Sequence, residues 1–240
     1  MKAFLYGLFL HFKLDFRNRD ILVTYYVVPI VFFFFMGGIF SSINPAMKAT
    51  LTGSMIVFAV TMGSALGTPL PLIEHYGSDI HKAFQVGGIP SWVEVVYNFL
   101  SGFAHLLIVS IIISVFAPIS FGAGHPASRV TFAVGLVVFI STSVLLGCLF
   151  GLLVRSTAKL TLLSQAVFLP SVLLTGIMFP ASMLPAVFER ISMVLPATWG
   201  FKALTSPRFD ASLLWPMLLM SAIFIIAIIW RLKRIQKQEN

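Results

Sequence analysis

The stretch ILVTYYVVPIVFFFFMGGIF, Ile21–Phe40, runs for twenty residues without a charge. About twenty apolar residues in a helix, each rising roughly 1.5 Å, are what the hydrocarbon of a bilayer requires. A helix also satisfies its own backbone hydrogen bonds, which lipid cannot do for it. Comparable runs return at 51–72, 99–119, 130–154, 160–179 and 213–230. The pattern predicts an all-α membrane protein of six transmembrane helices, with residues 1–240 forming a single transmembrane domain. Composition agrees: of 240 residues, 58% are hydrophobic and 10% charged, and the mean hydropathy is +0.98. Soluble domains carry about 25% charged residues, so most of this exterior is expected to face lipid.

The net charge of +8 could indicate a nucleic-acid partner. Its distribution argues against one, because the basic residues sit at chain ends and between apolar runs, with no basic face interleaved with aromatics. Their partner is expected to be membrane lipid. With six crossings, Lys2, Lys13, Arg17, Arg19, Lys82, Arg155, Lys159, Arg231, Lys233, Arg234 and Lys237 share one side, eleven of the sixteen Lys and Arg. Lys48, Arg129, Arg190, Lys202 and Arg208 share the other. The positive-inside rule then puts both termini in the cytoplasm of a multi-pass cell (plasma) membrane protein. Cys148 is the one cysteine, so no disulfide framework or cysteine metal site forms within the chain. A cleaved signal peptide is not expected, since an amphipathic segment precedes the first apolar run.

That segment, 3–19, repeats Phe4, Leu5, Leu8, Phe9, Phe12 and Phe16 at helical spacing, with Lys2, Lys13, Asp15 and Arg17 on the other side. Such a helix lies in the membrane interface, apolar face down. Between the second and third runs, IEHYGSDIHKAFQVGGIPSW (73–92) places Glu74, Asp79, His81 and Lys82 beside Ile80 and Phe84. A short amphipathic helix ending at Gly87-Gly88, with Pro90 beyond, fits this stretch. It is either a docking helix for a cytoplasmic partner or a solvated connector. His75 and His81 do not share a helix face, so no metal site is expected there. Residues 170–199, PSVLLTGIMFPASMLPAVFERISMVLPATW, are punctuated by Pro170, Pro180, Pro185 and Pro196 yet too apolar for a free external loop. Short helices dipping back into the outer leaflet are expected.

Chemistry-bearing motifs are sparse. No GxxxxGK[ST] phosphate loop occurs. None of the eight acidic residues falls within the six runs, which argues against a proton- or sodium-coupled carrier. The chain is therefore not expected to be an enzyme, and any energy is expected to come from another chain. His105 and Gln165 could line a pathway; more commonly such residues hydrogen-bond to a neighbouring helix, for about 1 kcal/mol. Trp92, Trp199 and Trp230 fall at run ends, as interfacial anchors do.

Two groups of residues carry a resemblance. One is Thr175-Gly176, Phe179-Pro180, Met183, Pro185 and Pro196-Ala197-Thr198-Trp199; the other is Glu74, Gly77 and Pro90-Ser91. Together with the order of parts, they resemble the membrane domain of type-2 ABC exporters, the ABC-2 family. The resemblance departs at Glu74-His75-Tyr76, where the family often has several charged residues, and Gly77 to Pro90 is longer than usual. It implies an interfacial N-terminal helix, a cytoplasmic coupling helix and an extracellular re-entrant helical hairpin. It also implies a homodimer, or a heterodimer with a related permease, each copy docking a separate ABC ATPase through Glu74–Pro90. ATP and magnesium would sit on that partner, with no cofactor on this chain. Apolar, Ser and Thr residues in the spans suit export of an amphiphilic cargo: a drug, an antimicrobial peptide or a lipid-like molecule. An ATP-independent channel or secondary transporter would need paired charges or a filter-like ring at mid-membrane, and neither is visible. A membrane scaffold or sensor is a further alternative. A lipid-modifying enzyme is the weakest, since no clustered His, Asp or Glu supports catalysis.

Overall fold

A computed structural model describes residues 2–43, 47–78, 84, 86–124, 128–178, 184–208 and 210–239. Side-chain caps mark where several helices begin, because the first amides of a helix lack intrahelical acceptors. α1 (Lys2–Asp15) is followed by α2 (Arg19–Ser42), whose start is capped by Asn18 Oδ1 accepting from the amides of Asp20 at 3.0 Å and Ile21 at 3.4 Å. After α3 (Lys48–Gly77) and α4 (Trp92–Phe121), Ser128 caps α5 (Arg129–Leu153) and Ser156 caps α6 (Thr157–Leu174), each hydroxyl accepting an amide at 3.3 Å. Two short helices follow, α7 (Ala186–Ser192) and α8 (Pro196–Thr205), and then α9 (Ala211–Lys237). Just before α9, hydrogen bonds from the Ser212 hydroxyl and amide hold the Asp210 carboxyl below the usual carboxylate range. α2, α3, α4, α5, α6 and α9 are each long and apolar enough to cross a membrane. This is a multi-pass, all-helical membrane protein.

Burial identifies the centre. In the most apolar part of α3, 83% of residues are enclosed, against 61% for α5, 22% for α6 and 11% for α9. α3 touches α2, α4, α5, α6 and α8, while α9 lies along the outside of α5. Small residues make the central position feasible: Gly53, Ser54, Ala59, Gly63, Ser64, Ala65 and Gly67 all lie on α3, and lipid-embedded helices associate through such close backbone approach. The tightest crossing is with α5. A Cβ at Gly147 would strike the Ser64 carbonyl oxygen, and one at Gly151 would sit 2.8 Å from Pro69 O. α9 is fastened by a polar pair, Thr142 Oγ1 and Ser221 Oγ, 2.8 Å apart.

α2 and α3 share an irregularity. Each contains a π-turn, Val23–Val27 and Gly63–Gly67, ending two residues before a proline, Pro29 and Pro69. The Val28 amide reaches Val23 O, and the Thr68 amide reaches Gly63 O at 3.0 Å. Proline has no N–H to give and its ring crowds the carbonyl four residues earlier, so the wider turn relieves the clash. On α3 that earlier carbonyl belongs to Ala65, and Ser164 of α6 donates to it at 2.5 Å. Re-satisfaction by a neighbour's hydroxyl is how a broken helix survives in lipid.

Candidate functional site

The two π-turns face each other and open a polar site between α2, α3 and α4. Tyr25, on the first π-turn, shares a 2.8 Å hydrogen bond with Thr68, just past the second. Asn98 of α4 donates to Thr68 O at 2.9 Å and lies 3.6 Å from Cys148 Sγ on α5. Beside this, His105 of α4 is fully enclosed, its ring stacked on Tyr25 and Phe12 at 5.2 and 4.6 Å. Its Nδ1 shares a 2.7 Å hydrogen bond with the Tyr26 hydroxyl. The Tyr25–Thr68 bond is worth about 1 kcal/mol, a typical net value for a buried pair. Tyr25→Phe is therefore expected to lower the thermal midpoint of the purified protein by a few degrees; an unchanged midpoint would remove Tyr25 from the bonds holding α2 to α3.

α1 closes the site. It packs on α4, with Phe4 against Tyr97 at 5.0 Å between centroids and Phe12 and Phe16 against His105. Phe4, Leu8 and Phe12 are half-buried along this contact, while Phe16 is 42% exposed. Asp15, expected on the polar outer side of this helix, instead points inward and accepts from Ser101 Oγ at 2.5 Å. Two histidine Nε2 atoms, of His11 and His105, lie 3.7 Å from the same Asp15 Oδ2. His11 Nδ1 is 3.4 Å from Glu94 Oε1, and His75 Nδ1 on α3 is 4.0 Å from Glu94 Oε2. These pairs become ion pairs when an imidazole takes a proton. Three histidines and two carboxylates thus link α1, the end of α3 and α4.

Further along, α3 runs unbroken past Glu74 to Gly77, both exposed, and Ser78 leaves it in extended conformation. Asp79, His81 and Lys82, with Ile80, lie outside the described residues. Phe84 returns to place its ring 4.8 Å from His75, the chain turns at Gly87 and Gly88, and Pro90 is exposed ahead of α4. The Tyr76 hydroxyl donates to Ser91 O at 2.5 Å across this excursion. At the opposite end, Gly176 has φ +92°, a left-handed conformation that suits glycine, and Phe201 packs against it. Phe179 and Pro180 lie outside the described residues. Pro185 precedes α7, and Pro196 opens α8 at the position where a missing N–H costs nothing. Thr198 donates to Ser192 O, and Trp199 Nε1 donates to Met193 O at 2.8 Å, pinning α8 to α7.

The sequence model of the ABC-2 type transporter family matches residues 7–209, most of the chain. This is an ABC-2 type transporter membrane domain. It is the permease part of such a system and not its ATPase; permeases of this family generally pair with an ABC ATPase, which binds the ATP. No curated protein and no solved structure matches the chain.

Two points of the sequence reading are refined for the permease. The helix that carries the third candidate crossing begins at Trp92, seven residues ahead of the apolar run near 99. The buried Glu94 lies in the first turn of that helix, ahead of the apolar run. His, Asp and Glu, scattered in sequence, are also clustered in space, although no group of three among the described residues could hold a metal ion. His105 makes the inter-helix hydrogen bond that polar residues in spans more commonly make, and Gln165 is half-buried on α6. His11 and Glu94 escaped the sequence reading, Asp15 was placed on the outer side of its helix, and His75 was weighed only as a metal ligand. The spacing of Gly7, His11 and Asp15, one face every four residues, was the available signal, masked by the stronger phenylalanine repeat.

Proposed function

We propose that this permease exports an amphiphilic molecule (a drug, an antimicrobial peptide or a lipid-like compound) using ATP hydrolysed on a separate ABC ATPase. In this reading residues 1–240 form a single transmembrane domain in the cell membrane, with both termini in the cytoplasm. It works as a homodimer or beside a related permease. α1 is the interfacial helix, and Glu74, Gly77, Asp79, His81, Lys82 and Pro90 belong to the coupling segment. Gly176, Phe179, Pro180, Pro185, Pro196 and Trp199 shape the outer re-entrant hairpin. His105, behind α1, and Gln165, on α6, are the pathway candidates.

One observation carries the coupling role. α3 is continuous to Gly77, and the series His75–Glu94–His11–Asp15 ties that helix end to α4 and α1. A displacement applied near Glu74 therefore reaches three elements through buried groups rather than through a floppy loop. The hairpin reading is supported by α7, whose Val187, Phe188 and Ile191 are 66%, 45% and 49% exposed, a face suited to lipid or protein and not to water.

Co-expression of the chain with its candidate ABC ATPase tests this. Glu74→Ala and a deletion of 79–84 are expected to reduce co-purification and to remove permease-stimulated ATP hydrolysis. If the ATPase neither co-purifies with the wild-type chain nor responds to it, the exporter reading fails, and a channel or scaffold takes its place.

A further inference from the structure

His11 stands between two carboxylates. Its Nε2 lies 3.7 Å from Asp15 Oδ2 on its own helix, and its Nδ1 lies 3.4 Å from Glu94 Oε1 on α4. The three side chains are only 12%, 9% and 9% exposed, so little water screens them from one another. Tyr97 and His105 of α4, Glu74 and His75 of α3, and Tyr25 and Tyr26 of α2 are the further titratable groups that face this centre among the described residues. They include no Lys or Arg, and Asp79, His81 and Lys82 lie outside the described residues.

The hydrogens on these rings do not suffice for both contacts. A neutral imidazole carries one N–H and one lone pair, whereas an ionised carboxylate only accepts. His105 can meet that limit: the Tyr26 hydroxyl donates to its Nδ1 over 2.7 Å, and the N–H left on Nε2 faces Asp15. His11 cannot. If its Nε2 bears the hydrogen, the lone pair of Nδ1 points at Glu94; in the other tautomer, the lone pair of Nε2 points at Asp15. Neither tautomer suits two ionised carboxylates, and His11 Nε2 is buried without a hydrogen-bond partner. One further proton removes the conflict, because a protonated ring donates from both nitrogens.

We propose that the joint between α1 and α4 is a binding site for one proton, held between His11 Nδ1 and Glu94 Oε1, and that this proton latches α1 to α4. It adds to the nitrogen lone pair from water in the cavity of about 370 Å³ that His11, Asp15 and Glu94 line, and returns to water when α1 parts from α4. No other bond is made or broken. With the proton in place the ring pairs with both carboxylates, so the stabilisation is present on the acid side and is lost as pH rises. Linkage runs both ways: raising the pH loosens α1, and a load that pulls α1 from α4 expels the proton. His75, 4.0 Å from Glu94 Oε2, sets the end of α3 on the same carboxylate, so all three helices feel the occupancy. The inference does not rest on the transport reading, since the latch needs neither ATPase nor cargo.

The test is hydrogen exchange on the full-length chain in nanodiscs of phosphatidylcholine, with exchange times scaled to the intrinsic rate at each pH. Protection of α1 is expected to fall as pH rises from about 5.5 to about 8.5, the range in which imidazoles titrate. One proton sets a slope of up to about tenfold per pH unit, and α3 and α5 are expected to keep their protection. His11→Gln and Glu94→Gln each substitute a neutral amide that needs no proton, and both are expected to lose most of the slope; either suffices if the other does not fold. His75→Gln is expected to keep it. A wild-type α1 whose protection does not change with pH overturns the proposal. So does a full slope in a folded His11→Gln or Glu94→Gln protein, or its disappearance in His75→Gln. A flat wild type that becomes pH-dependent in Lys82→Gln overturns it too, by placing an ammonium where the proton is assigned.

Discussion

Gly147→Val is expected to leave little folded protein. The added Cβ is driven into the backbone oxygen of Ser64 and crowds Thr68, whose Cβ lies 2.9 Å away. Overpacked cores typically lose 1–3 kcal/mol, and a helix backbone cannot step aside as a side chain does. The cost is therefore set at about 3 kcal/mol or more. Helices α3 and α5 would have to separate along their crossing, taking Thr68 and its hydrogen bonds with them. Gly38 provides the contrast: a Cβ there meets nothing within 4 Å, and Gly38→Ala is expected to be neutral or slightly stabilising through helix propensity. Detergent-solubilised yield and thermal midpoint separate the two. A Gly147→Val protein as stable as wild type would mean that α3 and α5 do not cross there.

The second large effect is expected at Asp15. Asp15→Ala removes the acceptor of the Ser101 hydroxyl and the negative charge between two histidines. A hydrogen bond to a charged group contributes about 1.5–3 kcal/mol, and most of that loss should appear as detachment of α1 from α4. Hydrogen exchange in α1 is the direct measurement, with protection expected to fall across the helix while α3 and α5 keep theirs. Ser101→Ala should cost less, and the double variant should cost less than the two losses combined, since each removes the same bond. Strict additivity would show that Asp15 and Ser101 do not meet.

Much of the architecture was legible because lipid leaves few options. A run such as Ile21–Phe40 can be little else than a spanning helix, and six such helices are present. Pro196 and Gly176 announced breaks through the backbone chemistry of proline and glycine. The polar site was not legible. His11, Asp15, His75, Glu94 and His105 are separated by up to 94 positions of chain, and only the crossing of α1, α3 and α4 brings them together. Asp15 was misplaced for a physical reason. On a helix whose phenylalanines point in several directions, as the exposed Phe9 and half-buried Phe12 do, the apolar repeat does not say which side is inside. Glu94 was missed because hydropathy fades over the first turns of α4, though the helix does not.

The π-turn in α3 divides that helix into two arms. The arm from Thr68 to Gly77 is about 15 Å long at 1.5 Å per residue, and it carries the exposed Glu74 and Gly77 at its tip. Ser164, clamped to the Ala65 carbonyl, sits where a lever would have its fulcrum. Tilting the arm by roughly 10° about that point would carry its tip through about 2.6 Å. That is half a helical turn of travel, gained by bending where the hydrogen-bond ladder is already open and without breaking a further rung.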